Sequence, residues 1–380
     1  MGLPSDVQLI SVDDHVIEHE RVWLDRLPTR FADASPQIVE VEGGRQAWRY
    51  EGVVFPQVGL NAVAGKDPSQ FNTDPVRFED MRPGCFDPTE RLKDMTMDGV
   101  WGSLNFPSFP RFCGQRFLEA KDKDLALLCV QAYNDFMIDE WCAADPQRLI
   151  PMGIFPLWDV GLAVRELERV AARGMKAMTF SENFAPLGLP SIHSGHWDPL
   201  FASAQSADIP LCMHIGSSSK MIDTSDDAPY PVHVVLNGLN SVVAAADILC
   251  SRVLQNFPTL KFALSEGGAG WVPYFLEKVR YTWARHGAYG GLDLTLAPDE
   301  AFRRHFAVCF IEDFLAVELR DEIGIETLMW ECDYPHADTA WPNSRTLVEK
   351  MLADVPDVQA RMIGEENARR FFNFPRVSSN

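Results

Sequence analysis

Short apolar segments alternate with stretches of helical spacing along nearly the whole chain, and this alternation constrains the fold more than any other feature of the sequence. Segments such as IPLCM and FAVCF are nearly continuous in apolar residues, as strands buried on both faces of a parallel sheet must be. A strand followed by a helix is the repeating unit of such a sheet. The predicted strands are 7–12, 99–106, 149–155, 174–180, 209–214, 260–265, 306–310 and 327–330.

The number of these units favours a closed barrel over an open sheet, because a TIM barrel has eight parallel strands, each followed by a helix. The clearest predicted helices are 121–144, 160–173, 242–256, 272–285 and 344–352. No G-x-G-x-x-G motif follows the first strand, which disfavours a dinucleotide-binding doubly wound sheet. The predicted fold class is therefore α/β, a (β/α)8 TIM barrel.

The chain of 380 residues fits one barrel with insertions. Residues 19–90 interrupt the alternation between the first two strands, and Trp48, Tyr50 and Phe55 suggest a hairpin within 46–60. The segment 183–196, rich in Gly, Pro and Ser, predicts a long loop after the fourth strand. We expect a single domain, 1–380, in which 19–90 is an insertion lying over the C-terminal face.

Charge and composition exclude several classes of partner. The 54 acidic and 34 basic residues give a net charge of -20, which repels nucleic acid and anionic lipid. The sequence shows no apolar run of about 18 to 20 residues, and the first residues lack the pattern of a signal peptide. The eight cysteines are scattered without a C-x-x-C pair, as expected of reduced, buried thiols. We expect a cytoplasmic protein without nucleic acid or membrane partners.

Imidazole and carboxylate side chains recur at the ends of four predicted strands. They are Asp13, His15 and Glu18 at strand 1, His214 at strand 5, Glu266 at strand 6, and Glu331, Asp333 and His336 at strand 8. Asp13 and His15 are two residues apart, so their side chains point to the same side of a strand. Barrel enzymes place their chemistry at the C-terminal ends of the strands, so we expect these groups to form an active site.

Several of these segments resemble the amidohydrolase superfamily, in the branch of metal-dependent hydrolases and decarboxylases related to aminocarboxymuconate-semialdehyde decarboxylase. The resemblance is carried by SVDDHVIE, the His214 segment, SEGGAGW, MW-x-x-DYPH, PLGLPSIHSGHWDPL and GEENARRFF. It implies a distorted TIM barrel with a divalent metal in its mouth. By position, Asp13 and His15 correspond to the ligand motif of strand 1, His214 to the ligand of strand 5 and Asp333 to the acid of strand 8. The habits of the family favour a homodimer.

The chain departs from the family pattern in three places. Ile17 occupies the position of a second strand 1 histidine, and Glu266 that of the catalytic histidine at the end of strand 6. The bridging lysine of binuclear hydrolases has no counterpart, because Lys176 lies near the start of strand 4. A centre of four histidines and a bridging lysine is therefore not expected.

The donor set consists of two imidazoles with up to four carboxylates, which suggests iron. The predicted metal ligands are Asp13, His15, Glu18, His214, Glu266 and Asp333. This count matches that of di-iron and di-manganese carboxylate proteins, although donor type alone does not exclude zinc or manganese. The predicted cofactor is a divalent metal, two Fe ions in the leading interpretation, with Zn or Mn as alternatives.

Aromatic residues on or after the strand ends predict an apolar substrate pocket. The predicted substrate-binding residues are Phe106, Phe109, Phe180, Phe184, Trp330 and Trp341. A dry aromatic pocket suits a bulky apolar small molecule and shields a reactive oxidant from water. The leading prediction is therefore a non-haem di-iron monooxygenase that hydroxylates such a substrate.

Three alternatives remain open. A Zn or Mn hydrolase would activate a bound water, with Glu266 or Asp333 taking its proton. A non-oxidative decarboxylase would hold the carboxylate of its substrate on the metal. For the enzyme as a whole, the predicted catalytic residues are Glu266, Asp333 and His336, the last in a supporting role. A non-enzymatic binding module with a purely structural metal is the third alternative, although an open barrel mouth disfavours it.

Overall fold

The computed structural model describes residues 2–293 and 295–376, and in it parallel strands form the wall of a distorted barrel. The strands are β1 (Ile10–Val16), β2 (Gln37–Val41), β3 (Arg45–Tyr50), β4 (Val53–Pro56), β5 (Gly102–Pro107), β6 (Leu149–Ile150), β7 (Met152–Gly153), β8 (Ala177–Thr179), β9 (Leu211–His214), β10 (Phe262–Ser265), β11 (Phe306–Phe310) and β12 (Leu328–Trp330). β1 pairs with β5 and β5 with β6, while β7 to β12 pair in chain order, all in parallel.

Two interruptions of the ladder account for the distortion. Only Pro151 separates β6 from β7, so the two short strands continue one path across the barrel wall. Between β12 and β1, hydrogen bonds from the segment that follows β12 replace a regular ladder. Asp333 N–H donates to the Asp13 carbonyl at 2.8 Å, and His15 N–H donates to the Tyr334 carbonyl at 2.7 Å. The connection between β12 and β1 is thus made by segments that carry the predicted site residues Asp13, His15 and Asp333.

Helices surround the strands on the outside. They are α1 (Arg21–Leu24), α2 (Pro88–Asp98), α3 (Gln115–Leu118), α4 (Lys123–Phe136), α5 (Val160–Ala171), α6 (Asp198–Ser206), α7 (Tyr230–Leu236), α8 (Leu239–Leu249), α9 (Val253–Asn256), α10 (Val272–Gly290), α11 (Pro298–His305), α12 (Phe314–Glu318), α13 (Arg320–Ile323), α14 (Ser344–Met351), α15 (Asp357–Arg361) and α16 (Asn367–Phe371). Side chains from successive strands fill the barrel interior, among them Ile10, Leu104 and Met152. The interior is therefore a packed core that confines the site to the mouth.

Every predicted strand has a counterpart in the structure, and the fold class is confirmed. β1 begins later and extends further than expected, which puts Asp13 and His15 within the strand. The predicted helix 121–144 contains α4, followed by a π-helical turn at Met137–Trp141. The predicted helix 242–256 divides into α8 and α9.

The segment 19–90 contains a small antiparallel sheet of its own. β2 pairs with β3 and β3 with β4, so the hairpin expected within 46–60 is confirmed. Trp48 and Phe55 face each other across this hairpin. Trp48 also packs on Phe109, with ring centroids 4.5 Å apart, and Phe109 follows β5. This contact places the small sheet beside the C-terminal ends of the barrel strands.

The expectation about apolar runs needs one correction. Tyr230–Leu249 is long and apolar enough to span a membrane by length and composition alone. It divides into α7 and α8 around Asn237 and Gly238, and one third of the apolar window is buried against the rest of the protein. In the described part of the chain all eight cysteines are free, and seven of them are buried, as the sequence predicts.

Candidate metal centre

Asp13 and His15 stand on β1 and are completely buried. His15 Nε2 lies 3.5 Å from Asp13 Oδ1, so the two side chains do converge. An irregularity in the β1–β5 register between Ser11 and Asp14 adds one residue to β1. The extra residue turns Asp14 to a separate role, in which its Oδ1 accepts hydrogen bonds from Ser11 Oγ at 3.0 Å and from Tyr334 N–H at 3.1 Å. Asp14 thereby fixes the turn that follows β12.

His214 ends β9 and points one ring nitrogen at the same place. Its Nδ1 lies 2.6 Å from the Ile215 carbonyl, which leaves Nε2 free to face the site. That Nε2 is 3.6 Å from Asp13 Oδ2 and 2.9 Å from Glu266 Oε2. A second ring nitrogen held by a backbone carbonyl is the usual arrangement of a metal-binding histidine. Phe112 stacks on the His214 ring at 3.9 Å and fixes its plane.

Asp333 brings the end of β12 to the cluster. Its backbone is left-handed, with φ of 60°, a conformation that Asp tolerates better than most residues. Its Oδ1 lies 3.0 Å from His15 Nε2 and 3.1 Å from His336 Nδ1. The His336 ring stacks on the His15 ring with centroids 3.6 Å apart. The geometry therefore forms two overlapping groups, Asp13–His15–His214 and His15–Asp333–His336.

The donor atoms in these groups have no hydrogen-bond partner among the described residues. They are both carboxylate oxygens of Asp13 and of Asp333, both ring nitrogens of His15, and Nε2 of His214 and of His336. Leaving a buried polar atom unpaired costs free energy, and native proteins do so rarely. Oxygen and imidazole donors that converge without partners are what a divalent cation requires. The residues present therefore fit a metal ion.

The pKa shifts of the clustered residues also favour the binding of a cation. Burial, followed by repulsion from neighbouring carboxylates, Glu331 foremost, raises the pKa of Asp13 well above its ordinary value. Burial, reinforced by two other histidines, holds the pKa of His15 well below its ordinary value and keeps the ring neutral. Burial lowers the pKa of His214, but the charge and hydrogen bond of Glu266, together with the Ile215 carbonyl and Asp333, outweigh it and the net shift is upward. A cation bound here would take the place of that proton.

Glu266 lies at the edge of the cluster. Its backbone is left-handed, with φ of 60°, and its N–H donates to both oxygens of the buried Glu331 carboxylate at 3.1 and 3.2 Å. Its side chain is 16% exposed, unlike the completely buried Asp13. Glu266 therefore contacts His214 while facing outward, and Glu331 accepts the hydrogen bond of its backbone N–H.

Glu18, like Glu266, is an expected ligand that belongs to neither donor group. Its two oxygens accept hydrogen bonds from Ser108 N–H at 3.0 Å and Phe109 N–H at 2.8 Å. Burial raises its pKa to about 7, against the lowering effect of these hydrogen bonds. The carboxylate instead fixes the loop after β5 and lines a neighbouring cavity. The six-ligand set counted from the sequence is thus not assembled in the structure.

The expected substrate-binding aromatics divide into two groups. Phe106 packs near His15 and His214 with centroid distances of 5.9 and 5.0 Å, and Phe109 lines the cavity beside the cluster. The other four pack elsewhere. Phe180 and Phe184 lie against each other and Trp197, Trp330 is buried within β12, and the Trp341 ring lies under Arg82 at 4.3 Å. For these four residues the structure supports a packing role, because apolar residues at strand ends also face the helical layer.

Two cavities flank the cluster. The first has a volume of about 250 Å³, and its walls include His336, Phe112, Phe109, Trp48 and Phe55 together with Arg111, Arg116 and Glu18. The second has about 430 Å³ and is lined by Glu266, Glu312, Asp313, Glu331 and Asp338 among others. Burial, then Glu266 and Asp333, raise the pKa of Asp338 to about 6. One cavity is therefore aromatic and cationic, and the other is acidic.

Three residues with clear roles at the site were missed as site residues. Phe112 stacks on His214, Asp14 holds the turn after β12, and Arg91 lies buried beneath the site. The Arg91 guanidinium donates to the Gly84 carbonyl at 2.7 Å and lies 4.2 Å from the Tyr334 ring centroid. A polar residue inside an apolar strand, as in SVDDH, is the only signal that could have indicated Asp14. Arg91 lies on α2 within ordinary helical spacing, so nothing in the sequence marks it.

The known proteins that this chain resembles include two decarboxylases and one amidohydrolase. The gamma-resorcylate decarboxylase of Rhizobium radiobacter is 24% identical over 318 residues, covering 74% of this chain and 86% of that protein. An amidohydrolase structure from Mycobacterium avium subsp. paratuberculosis has a TM-score of 0.74 at 20% identity, covering 97% of this chain and 100% of the other. A 5-carboxyvanillate decarboxylase from Novosphingobium aromaticivorans, solved with manganese and 4-hydroxy-3-methoxy-5-nitrobenzoic acid, has a TM-score of 0.66 at 16% identity and covers 98% of each chain.

These findings correct the leading functional expectation. The di-iron monooxygenase rested on a count of six ligands, and Glu18 is engaged by backbone amides instead. Two of the three relatives named above are decarboxylases, one of them solved with manganese, so they favour the alternative of a Mn or Zn decarboxylase over an oxygenase with two Fe ions.

A family model described as amidohydrolase matches residues 19–374, which is nearly the whole chain. Asp13 and His15 precede the matched residues, but β1 completes the same barrel and joins its side chains to those of the matched region. Sequence match and fold agree: this chain belongs to the amidohydrolase family.

Proposed function

We propose that this protein is a divalent-metal-dependent, non-oxidative decarboxylase of small aromatic carboxylic acids. The observation that carries the proposal is a cluster of buried, unpaired oxygen and imidazole donors beside an aromatic cavity that contains two arginines. The similarity to gamma-resorcylate and 5-carboxyvanillate decarboxylases supports the reaction class.

Four residues would hold the metal ion: Asp13, His15, His214 and Asp333. All four are buried and have unpaired side-chain atoms, and His15 belongs to both donor groups and so links Asp333 to Asp13 and His214. Two carboxylates and two imidazoles suit manganese or zinc, and manganese is the first ion to test. When bound, the ion would supply a Lewis acid that polarises the oxygens of the substrate.

Charge selects the cavity in which the substrate would sit. A carboxylate is repelled by the acidic cavity beside Glu266 and attracted by the cavity that contains Arg111 and Arg116. The latter has a volume of about 250 Å³, below the range of about 300 to 1,000 Å³ typical of drug-sized ligands. Its size and aromatic walls favour a ligand with a single ring.

His336 is placed to supply the proton that the reaction requires. When the bond between the ring carbon and the carboxylate breaks, carbon dioxide leaves and the electron pair stays on the ring carbon, which must then take up one proton. His336 lines the aromatic cavity, and its unpaired Nε2 is available to donate while Asp333 holds Nδ1 at 3.1 Å. Glu266, on the side of the acidic cavity, would position His214 and exchange protons with solvent.

The test is carbon dioxide release by the manganese-loaded protein with gamma-resorcylate as the first substrate, in anaerobic buffer. We expect release of one carbon dioxide per product formed, without oxygen, and incorporation of solvent deuterium at the vacated ring carbon. Asp333→Asn should abolish both, whereas His193→Gln, which changes an exposed imidazole paired with Asp247, should leave them unchanged. Oxygen consumption in proportion to product, or amide hydrolysis without carbon dioxide, would refute the proposal.

A further inference from the structure

The proposed metal ligands of β1 and of the segment after β12 lie on the two sides of a gap in the barrel ladder. Asp13 and His15 belong to β1, whereas Asp333 follows β12, and two backbone hydrogen bonds replace a regular ladder between these segments. The centre itself spans the gap, since His15 Nε2 lies 3.0 Å from Asp333 Oδ1. A small displacement of one segment against the other would separate these ligands, so the metal centre depends on contacts that hold the two segments together.

Arg91, on α2, contacts both sides of this gap. The residue is buried, and its Nη2 donates a hydrogen bond to the His15 carbonyl at 2.5 Å. On the other side, its guanidinium carbon lies 4.2 Å from the ring centroid of Tyr334, which directly follows Asp333. A third contact, from Nε to the Gly84 carbonyl at 2.7 Å, fixes the orientation of the guanidinium. Arg91 therefore connects the backbone of one ligand to the neighbour of another.

Asp94, one turn further along α2, holds the same tyrosine. Its Oδ2 accepts a hydrogen bond from the Tyr334 hydroxyl at 2.6 Å, and Arg82 donates to both of its oxygens at 2.7 Å. Residues three apart in a helix lie on one face, so Arg91 and Asp94 contact Tyr334 together. The Tyr334 N–H donates to Asp14 Oδ1 at 3.1 Å. The residue after the β12 ligand is thus restrained at its backbone, its ring and its hydroxyl.

The burial of Arg91 is costly by itself. Among the residues that the structure describes, it forms no ion pair, its Nη1 has no hydrogen-bond partner, and its other donors bond to uncharged carbonyls. Burying a charge without a counter-ion is unfavourable, and a neutral side chain could fill the same space. A neutral replacement would lose the donor to the His15 carbonyl and the cation beside the Tyr334 ring. These two contacts are the ones that span the gap.

We propose that Arg91 is a positioning residue of the metal centre, which holds the ligand-bearing end of β1 against the segment after β12 and thereby sets the metal affinity. This inference rests on the ligand set of the proposed function and is independent of the reaction. Residues that orient metal ligands typically contribute about 10- to 100-fold to metal affinity. Because Arg91 contacts neither the metal donors nor the substrate cavity, its role is confined to orientation.

Arg148 provides a matched control on the same helix. Its Nε donates to the Trp101 carbonyl at 2.8 Å and its Nη2 to the Val100 carbonyl at 3.1 Å, and its guanidinium carbon lies 5.3 Å from the Trp101 ring centroid. Like Arg91, it donates to backbone carbonyls and packs on an aromatic ring beside α2. These contacts precede β5, at the N-terminal end of the barrel strands, whereas the metal centre lies at the C-terminal end.

The test is titration of chelator-treated protein with manganese, in which the electron paramagnetic resonance signal of the free ion gives the Kd, together with urea unfolding of the metal-free protein. Arg91→Gln should weaken manganese binding by about 10- to 100-fold. Arg148→Gln should lower the urea midpoint of the metal-free protein and change the manganese Kd less than about threefold. Tyr334→Phe, which keeps the ring beneath Arg91, should weaken binding less than Arg91→Gln does.

If Arg91→Gln does not fold, Arg91→Lys keeps the charge but loses the fork that reaches two carbonyls, and it should weaken manganese binding several-fold. A manganese Kd that is unchanged in the folded Arg91 variants would overturn the inference, as would an equal weakening in Arg148→Gln. The latter result would show that affinity follows general stability and not orientation of the ligands.

This inference and the proposed function fail in distinguishable ways. Carbon dioxide release from gamma-resorcylate with a manganese Kd that does not depend on Arg91 overturns the positioning role and leaves the decarboxylase standing. Manganese binding that depends on Arg91, without carbon dioxide release, supports the positioning role and overturns the reaction. No manganese binding by the unmodified protein would overturn both.

Discussion

Binding of manganese should stabilise this fold, and replacing His214 with alanine should remove most of the gain. The ligand atoms of Asp13, His15, His214 and Asp333 have no hydrogen-bond partners in the described part of the chain, so the folded state without metal retains their desolvation cost. An ion that binds the folded chain and not the unfolded one stabilises it by mass action. His214→Ala deletes one imidazole while leaving three ligands in place.

The size of the effect follows from the length of the chain and the affinity. At a free concentration 100 times the Kd, a ligand stabilises the folded state by about 2.7 kcal/mol. For 380 residues the unfolding entropy is about 0.8 kcal/mol per degree, so the Tm should rise by about 3 °C. If loss of an imidazole weakens binding about 100-fold, the same concentration gives only about 0.4 kcal/mol, a shift of about 0.5 °C.

The assay is thermal unfolding of chelator-treated protein with manganese added to 100 times the Kd of the unmodified protein. Metal analysis of the loaded protein should give about one ion per chain, since the two donor groups overlap at His15. His193→Gln again serves as the control, because this exposed imidazole pairs with Asp247 at 2.7 Å. The reasoning is refuted if His214→Ala retains the full shift in Tm, or if His193→Gln loses it.

Three further predictions concern neighbouring residues. His336→Ala should retain the metal but lower kcat by about 10²- to 10⁴-fold, since it removes a proton donor and not a proposed ligand; metal loss on dialysis would identify His336 as a ligand. Phe180→Leu should destabilise the fold by about 1 kcal/mol in urea without changing KM, because Phe180 packs on Phe155 and Trp197; a raised KM would place it in the substrate pocket. The Glu18 pKa of about 7 lies above its ordinary 4.5, so the folded state binds the proton more tightly and should lose about 3 kcal/mol of stability between pH 4.5 and 7; Glu18→Gln should abolish this loss, and an unchanged pH profile of unfolding would refute the assigned environment.

The sequence predicted the order of strands and helices because apolar periodicity is a local property. Buried parallel strands such as FAVCF must be apolar throughout, and the structure places β11 at the expected bounds. The ends of elements were less predictable. β1 runs through the polar pair Asp13 and Asp14 to Val16, because hydrogen bonds with β5 and with the turn after β12 outweigh the local break in hydrophobicity.

The structure brings four of the predicted site residues close together and leaves Glu18 apart from them. Asp13, His15, His214 and Asp333 meet because the C-terminal ends of parallel strands share one rim. Glu18 failed to join them because the amides of Ser108 and Phe109, in a loop about 90 residues away, hold its carboxylate. The spacing of residues along the chain does not show which distant backbone amides will contact a given side chain.

What the sequence determined by itself was the barrel and the rim on which its imidazoles and carboxylates lie, since both depend on residue type at regular intervals. Only the tertiary structure decided which of those groups lack partners, and that Arg116 lies against Phe55 in a cavity beside them. Burial and hydrogen bonding depend on neighbours brought from distant parts of the chain, so they exist only once the barrel and the residues 19–90 have packed together.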